Sequence, residues 1–259
     1  MSVANDLEFE SEDFPDDISE TMTNDKLALS DEDEENNMSI YISGIDLNNE
    51  GLLDEHLMRI NRLLRKARCL VSIIKNSSNN LRFVRAKRRE ANLNIEIIKD
   101  FKIRWNYTNL FVIRLLKYQK IINEVTSNPN SIIGFTAKRM SKLKSLNITE
   151  HEWSSLLALT DALNPFYMAT KILSGKTYQT LSKSWVLLNG IRSFLSVVEC
   201  EPEEEDSFEH EYQNLKTENY YCTLNRLKAL LSESLEFYLH KHVSVDQREA
   251  TLVTFSGFL

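Results

Sequence analysis

Arg82, Arg85, Lys87, Arg88 and Arg89 place five positive charges within eight residues of "LRFVRAKRRE". Cations at that density attract a phosphate backbone, because each neutralised phosphate releases condensed counterions. The same cluster fits a nuclear localisation signal, and it fits a helix face that is only solvated. The cluster lies in a wider basic stretch. Residues 59–144 hold 21 bases and 4 acids, whereas residues 1–37 hold 14 acids and one base, within a chain of 259 residues and net charge −7. Residues 145–259 are again mildly acidic, largely through "ECEPEEEDSFEHE" at 199–211.

Other chemistry is poorly supplied. His240 and His242 have no cysteine partners at zinc-ligand spacing and read as a surface pair. Cys69, Cys200 and Cys222 are odd in number and far apart, which indicates neither a disulfide framework nor a zinc knuckle and leaves small buried hydrophobes as the expectation. No metal site, cofactor or small-molecule substrate is expected from these residues. The expected partners are DNA or nuclear proteins.

Positioning these charges falls to helices. Six Gly and four Pro among 259 residues argue against an all-β architecture, and 42% hydrophobic residues suffice for a sizeable core. The expected class is mainly α. No apolar run is long enough to cross a membrane, and the acidic start lacks a secretory signal, so a soluble intracellular chain is expected.

Leu57, Ile60, Leu64, Ala67, Val71 and Ile74 recur at helical spacing, with Arg59, Arg62, Arg65, Lys66 and Arg68 mostly between them. After a break at "NSSNN" comes the basic cluster, then a β-like run from Leu93 to Ile98. Phe111, Leu115, Tyr118, Ile122 and Val125 predict one helix ending near "SNPN", with Arg114, Lys117 and Lys120 on its outer face. Thr149 and Glu152 form a capping-box signature ahead of Trp153, Leu156, Leu157, Thr160 and Leu163. Pro165 predicts a break or bend, and Gly175 a left-handed cap. Leu181, Trp185, Leu188, Ile191, Leu195 and Val198 define another face, as do Leu224, Leu227, Leu231 and Tyr238. Each apolar face needs a partner, so a bundle is expected.

The triplet Arg104-Trp105-Asn106 stands between the β-like run and the next helix. Its indole would bury a large area, with Arg104 and Asn106 tying the backbone by hydrogen bonds; a DNA-contacting role is the other reading.

The order of "IIKDFKIRWNYTNLFVIRLL" and "TEHEWSSLLALTDALNPFYMATKILSGKTYQTLSKSWVLLNGI" resembles the hAT transposase superfamily, in its BED-zinc-finger-associated, domesticated branch. Asp100, Arg104, Trp105, Asn106 and Thr108 match its Asp-x-x-Thr-Arg-Trp-Asn-Ser-Thr motif, and Trp153, Leu163, Pro165, Phe166, Ala169, Thr170, Leu173, Ser174 and Gly175 match the next. Ile103 and Tyr107 depart from it, replacing Thr and Ser.

The acidic tail over 1–45 has too little apolar surface to fold and is expected to be disordered. The resemblance implies a remnant of a ribonuclease-H-like α/β core over 46–104 with a helix and a strand, and an all-helical insertion-like domain over 105–259, in which the acidic loop falls at 199–213. Family members that cut DNA hold metal ions with three carboxylates. None has a matching position here; Asp100 matches the motif's own Asp, not a metal ligand, and the BED finger and the C-terminal dimerisation region have no counterpart. The expectation is a catalytically inactive, transposase-derived nuclear protein that binds nucleic acid or chromatin factors through residues 59–144. The alternative is a structural or interaction fragment of a decayed transposon without selected activity.

Overall fold

In the computed structural model, residues 55–100, 105–129, 137–174, 181–200 and 212–242 are described. Seven apolar side chains of α1 (Glu55–Asn76) are buried: Ile60, Leu63, Leu64, Ala67, Leu70, Val71 and Ile74. Their three- and four-residue spacing is what a single buried stripe requires. The predicted break at "NSSNN" narrows to Ser77, whose Oγ accepts the Asn80 N–H and caps α2 (Ser78–Glu90). α2 buries only Asn80 and Val84, so most of its surface is left to its cations.

Leu93–Ile98 is not a strand, and no strand occurs among the described residues. The alternation is nonetheless used: Ile97 is buried and Leu93, Ile95 and Ile98 pack against the core. What differs is the backbone pairing. The Ile95 carbonyl accepts the Tyr118 hydroxyl at 2.7 Å and the Glu96 carbonyl accepts Arg114 Nη1 at 3.1 Å, so side chains from the next helix take the place of a neighbouring strand. Asn92, at φ 52, turns the chain out of α2, a left-handed conformation that Asn tolerates better than most residues.

The helix expected over 107–125 divides at Tyr118 into α3 (Trp105–Lys117) and α4 (Gln119–Ser127). Its predicted face survives the division: Phe111, Leu115, Tyr118, Ile122 and Val125 are all buried. The Tyr118 N–H reaches the Leu115 carbonyl at 3.0 Å and the Arg114 carbonyl at 3.3 Å, a tightened turn at which the ring stays buried.

After α5 (Ala137–Ser145) comes α6 (Glu150–Leu173), the centre of the fold. Both halves of the predicted capping box form, with Glu152 Oε2 accepting the Thr149 N–H at 2.8 Å and Thr149 Oγ1 accepting the Glu152 N–H at 3.3 Å. Residues 153–160 are all buried, so this stretch is enclosed on every side rather than along one stripe. α3 and α8 (Glu218–His242) pack on it, and α7 (Leu181–Ser196) packs on α8. α6 runs on through Pro165 as one helix, so the chain does not break there. The ring removes one donor, and the hydroxyls of Thr160 and Thr170 bond back to the Leu156 and Phe166 carbonyls on either side of it.

Residues on both sides of position 104 share one hydrophobic core, from Ile60 to Leu227. Other expectations need correction. Cys200 and Cys222 are exposed and only Cys69 is half-buried, because the two sit at a helix exit and on the outer side of α8. Val198 and Tyr238, placed on apolar faces by their spacing, are exposed as well, Val198 lying beyond the end of α7 at Ser196. The tail 1–45, Arg104, Gly175 and most of the acidic loop lie outside the described residues.

Candidate functional site

The basic cluster resolves into charges that hold the fold and charges that face outward. Lys87 pairs with Glu124 of α4 at 2.9 Å and with Glu90 at 3.4 Å, and lies over the Phe83 ring; these hydrogen bonds push its pKa up. Arg88 Nη1 reaches Glu96 at 3.0 Å, and its Nε is buried without a partner. Arg85 approaches the same carboxylate at 3.9 Å. Arg82 and Arg89 are exposed and form no ion pair among the described residues. On α2, positions 82, 85 and 89 follow the i, i+3, i+7 spacing of one helix face.

The fold adds cations the local cluster does not contain. Arg114 of α3 is held on the Glu96 carbonyl, and Lys99 donates to Asn76 Oδ1 at 3.0 Å at the end of α1. Lys75, in the last turn of α1, has its pKa lowered mainly by burial; Glu96 opposes the shift, and Lys99, Arg85 and Arg114 add to it. Three helices and the 91–100 segment thus bring cations together near Glu96: Arg88 and Arg85 meet its carboxylate, Arg114 its carbonyl, and Lys75 and Lys99 lie by the end of α1. Lys75, Lys99 and Glu96 were missed by sequence reasoning. They lie up to 39 residues from Arg114, and no local spacing announces their convergence.

All four acids of residues 59–144 are engaged. Glu90 and Glu124 meet Lys87, Glu96 meets Arg88, and Asp100 meets Arg68 at 2.6 Å with its carboxylate fully buried. Asp100 also accepts the Thr108 hydroxyl at 3.0 and 3.1 Å, joining two positions of the motif read in the sequence. Trp105 opens α3, and its side chain lies outside the described residues. The Asn106 Oδ1 is buried without a partner, as are both amide atoms of Asn109, next to Thr108.

Trp153 is fully buried, and its Nε1 donates to Asn123 Oδ1 at 3.0 Å, locking α6 to α4. Pro165 and Phe166 are half-buried within α6. These positions hold helices together and stand apart from the cationic bay. Among the described residues no three His, Cys, Asp or Glu side chains are grouped to hold a metal ion, and no helix is long and apolar enough to cross a membrane. His240 is exposed.

No protein-family model, curated protein or solved structure matches this chain.

Proposed function

We propose that the chain is a non-catalytic, transposase-derived nuclear protein that binds nucleic acid through the basic surface of residues 59–144. One observation carries the reading: the few acids of that stretch are spent on internal pairs, while cations from three helices converge or face outward. A surface of that kind pairs with a polyanion through charge and counterion release, with little dependence on base sequence. The motif order from Asp100 to Gly175 supports the transposase origin, and the Asp100–Thr108 bond gives its first spacing a structural reason. The "RAKRRE" run serves nuclear import in the same reading.

Charge within the chain favours this assignment too. The whole chain carries −7 and residues 1–37 carry −13, which leaves +6 on residues 38–259.

Duplex DNA binding measured against salt tests the proposal. Affinity should fall steeply between about 50 and 200 mM salt, and should weaken when Arg82, Arg85, Lys87, Arg88 and Arg89 are changed together to Ala. Absent or salt-insensitive binding would remove it and leave the interaction fragment.

A further inference from the structure

We propose that Lys75, Arg85, Arg88, Lys99 and Arg114 frame a phosphodiester subsite, and that the Glu96 carboxylate fills it in the free chain as a displaceable counter-anion. This rests on the nucleic-acid reading and assigns it a specific place. Two arginines, Arg88 and Arg85, meet the Glu96 carboxylate, Arg114 holds the carbonyl of the same residue, and Lys75 and Lys99 stand at the adjoining end of α1, so one carboxylate serves a locally cationic surface.

Glu96 is built to leave. Its side chain is about half exposed, at 55%, and its two ion pairs are unequal, at 3.0 Å to Arg88 and 3.9 Å to Arg85. Its backbone, in contrast, is fixed. Arg114 grips the Glu96 carbonyl and Tyr118 grips the Ile95 carbonyl, so the segment stays in place whether or not the carboxylate remains among the cations.

Phosphodiester is favoured over an acidic peptide by what adjoins the bay. Arg82, Arg85 and Arg89 make a row spanning about 10 Å along α2. A nucleic-acid strand presents a charge roughly every 3.4 Å of its axis, a repeat that can meet the row and the bay together. Of the three arginines in the bay, Arg85 and Arg88 also offer planar donor forks to phosphate oxygens.

The test uses the full chain and a short labelled DNA duplex in a fluorescence anisotropy titration at low salt. E96Q should bind up to about fivefold more tightly than the parent, the range one partly exposed charge pair commands, and Lys99→Ala should bind more weakly. E96Q binding equally or less tightly, with its thermal melt unchanged, would overturn the proposal. If E96Q does not fold, unchanged affinity of Lys99→Ala overturns it instead.

Should the parent chain bind no duplex, the nucleic-acid reading fails by itself. Inorganic pyrophosphate then decides the subsite, which survives only if Lys99→Ala binds it more weakly than the parent. Competition by polyglutamate as effective as by duplex at equal charge would make the bay a carboxylate site and overturn the phosphate assignment.

Discussion

Asp100 accepts the Thr108 hydroxyl on both carboxylate oxygens, while Arg68 closes on the same group from α1. The carboxylate is fully buried and the guanidinium largely so. A buried pair of this kind adds little over an apolar replacement of both partners, but loss of one partner strands the other. Asp100→Ala should therefore lower unfolding free energy by about 3–5 kcal/mol, and Thr108→Val by about 1 kcal/mol. Urea denaturation checks both values. The Arg68→Ala and Asp100→Ala double mutant should lose much less than the sum of the singles; additive losses would show that the two groups do not act as a pair.

Asp161 offers a pH-dependent contribution. Burial raises its pKa, only partly offset by the 2.6 Å hydrogen bond from the Tyr220 hydroxyl and by Lys216. A carboxyl raised in the folded state favours folding most below its unfolded pKa of about 4, and that contribution is lost as pH rises through the folded value. Asp161→Asn keeps an acceptor for Tyr220 and removes the charge. It should be more stable than the parent at pH 7, with the gap closing toward pH 4. Equal stability at both pH values, read from thermal melts, would contradict the burial argument. Tyr220, whose own pKa burial and Asp161 push far up, should remain neutral throughout.

The helices were legible because their signals are local. Apolar spacing in α1 and the Thr149–Glu152 box depend on residues three and four apart, and both form as read. Tyr118 shows the limit: the periodicity fixes its burial but cannot show that the helix turns there. Leu93–Ile98 shows another. Its alternation reports a buried side, whereas strand formation depends on a partner elsewhere in the chain, and here the carbonyls meet Tyr118 and Arg114. The cationic bay was half legible for the same reason. Arg85 and Arg88 stand in a visible run, but Lys75, Lys99 and Arg114 join them only through tertiary packing.

Lys228 is almost fully buried in α8. Its Nζ donates to Glu199 at 2.7 Å and to the Val197 carbonyl at 3.0 Å, above the Phe194 ring at 4.1 Å. It clamps the exit of α7 onto α8. Lys228→Met keeps the stem but not the donors, and should cost about 1–3 kcal/mol. The loss should be local at first: hydrogen exchange should quicken in α7 before α6, whose interior is enclosed by other helices. Uniform acceleration in both helices would mean that Lys228 supports the whole fold.

On α2 the charge that binds and the charge that holds should separate by mutation. Arg82 and Arg89 are exposed without ion pairs among the described residues, so under the proposed function changing either to Ala should remove a contact to the polyanion and nothing from the fold. Each should weaken DNA binding and reduce the magnitude of its salt slope by about 1, with the thermal midpoint unchanged. Lys87 differs, because Glu124 and Glu90 already occupy it. Lys87→Ala should loosen the contact between α2 and α4 and leave the salt slope nearly as it was. If Lys87→Ala changed the slope as much as Arg82→Ala did, the acids of this stretch would not be holding their partners in solution, and every cation from Arg59 to Lys144 would count equally toward the polyanion.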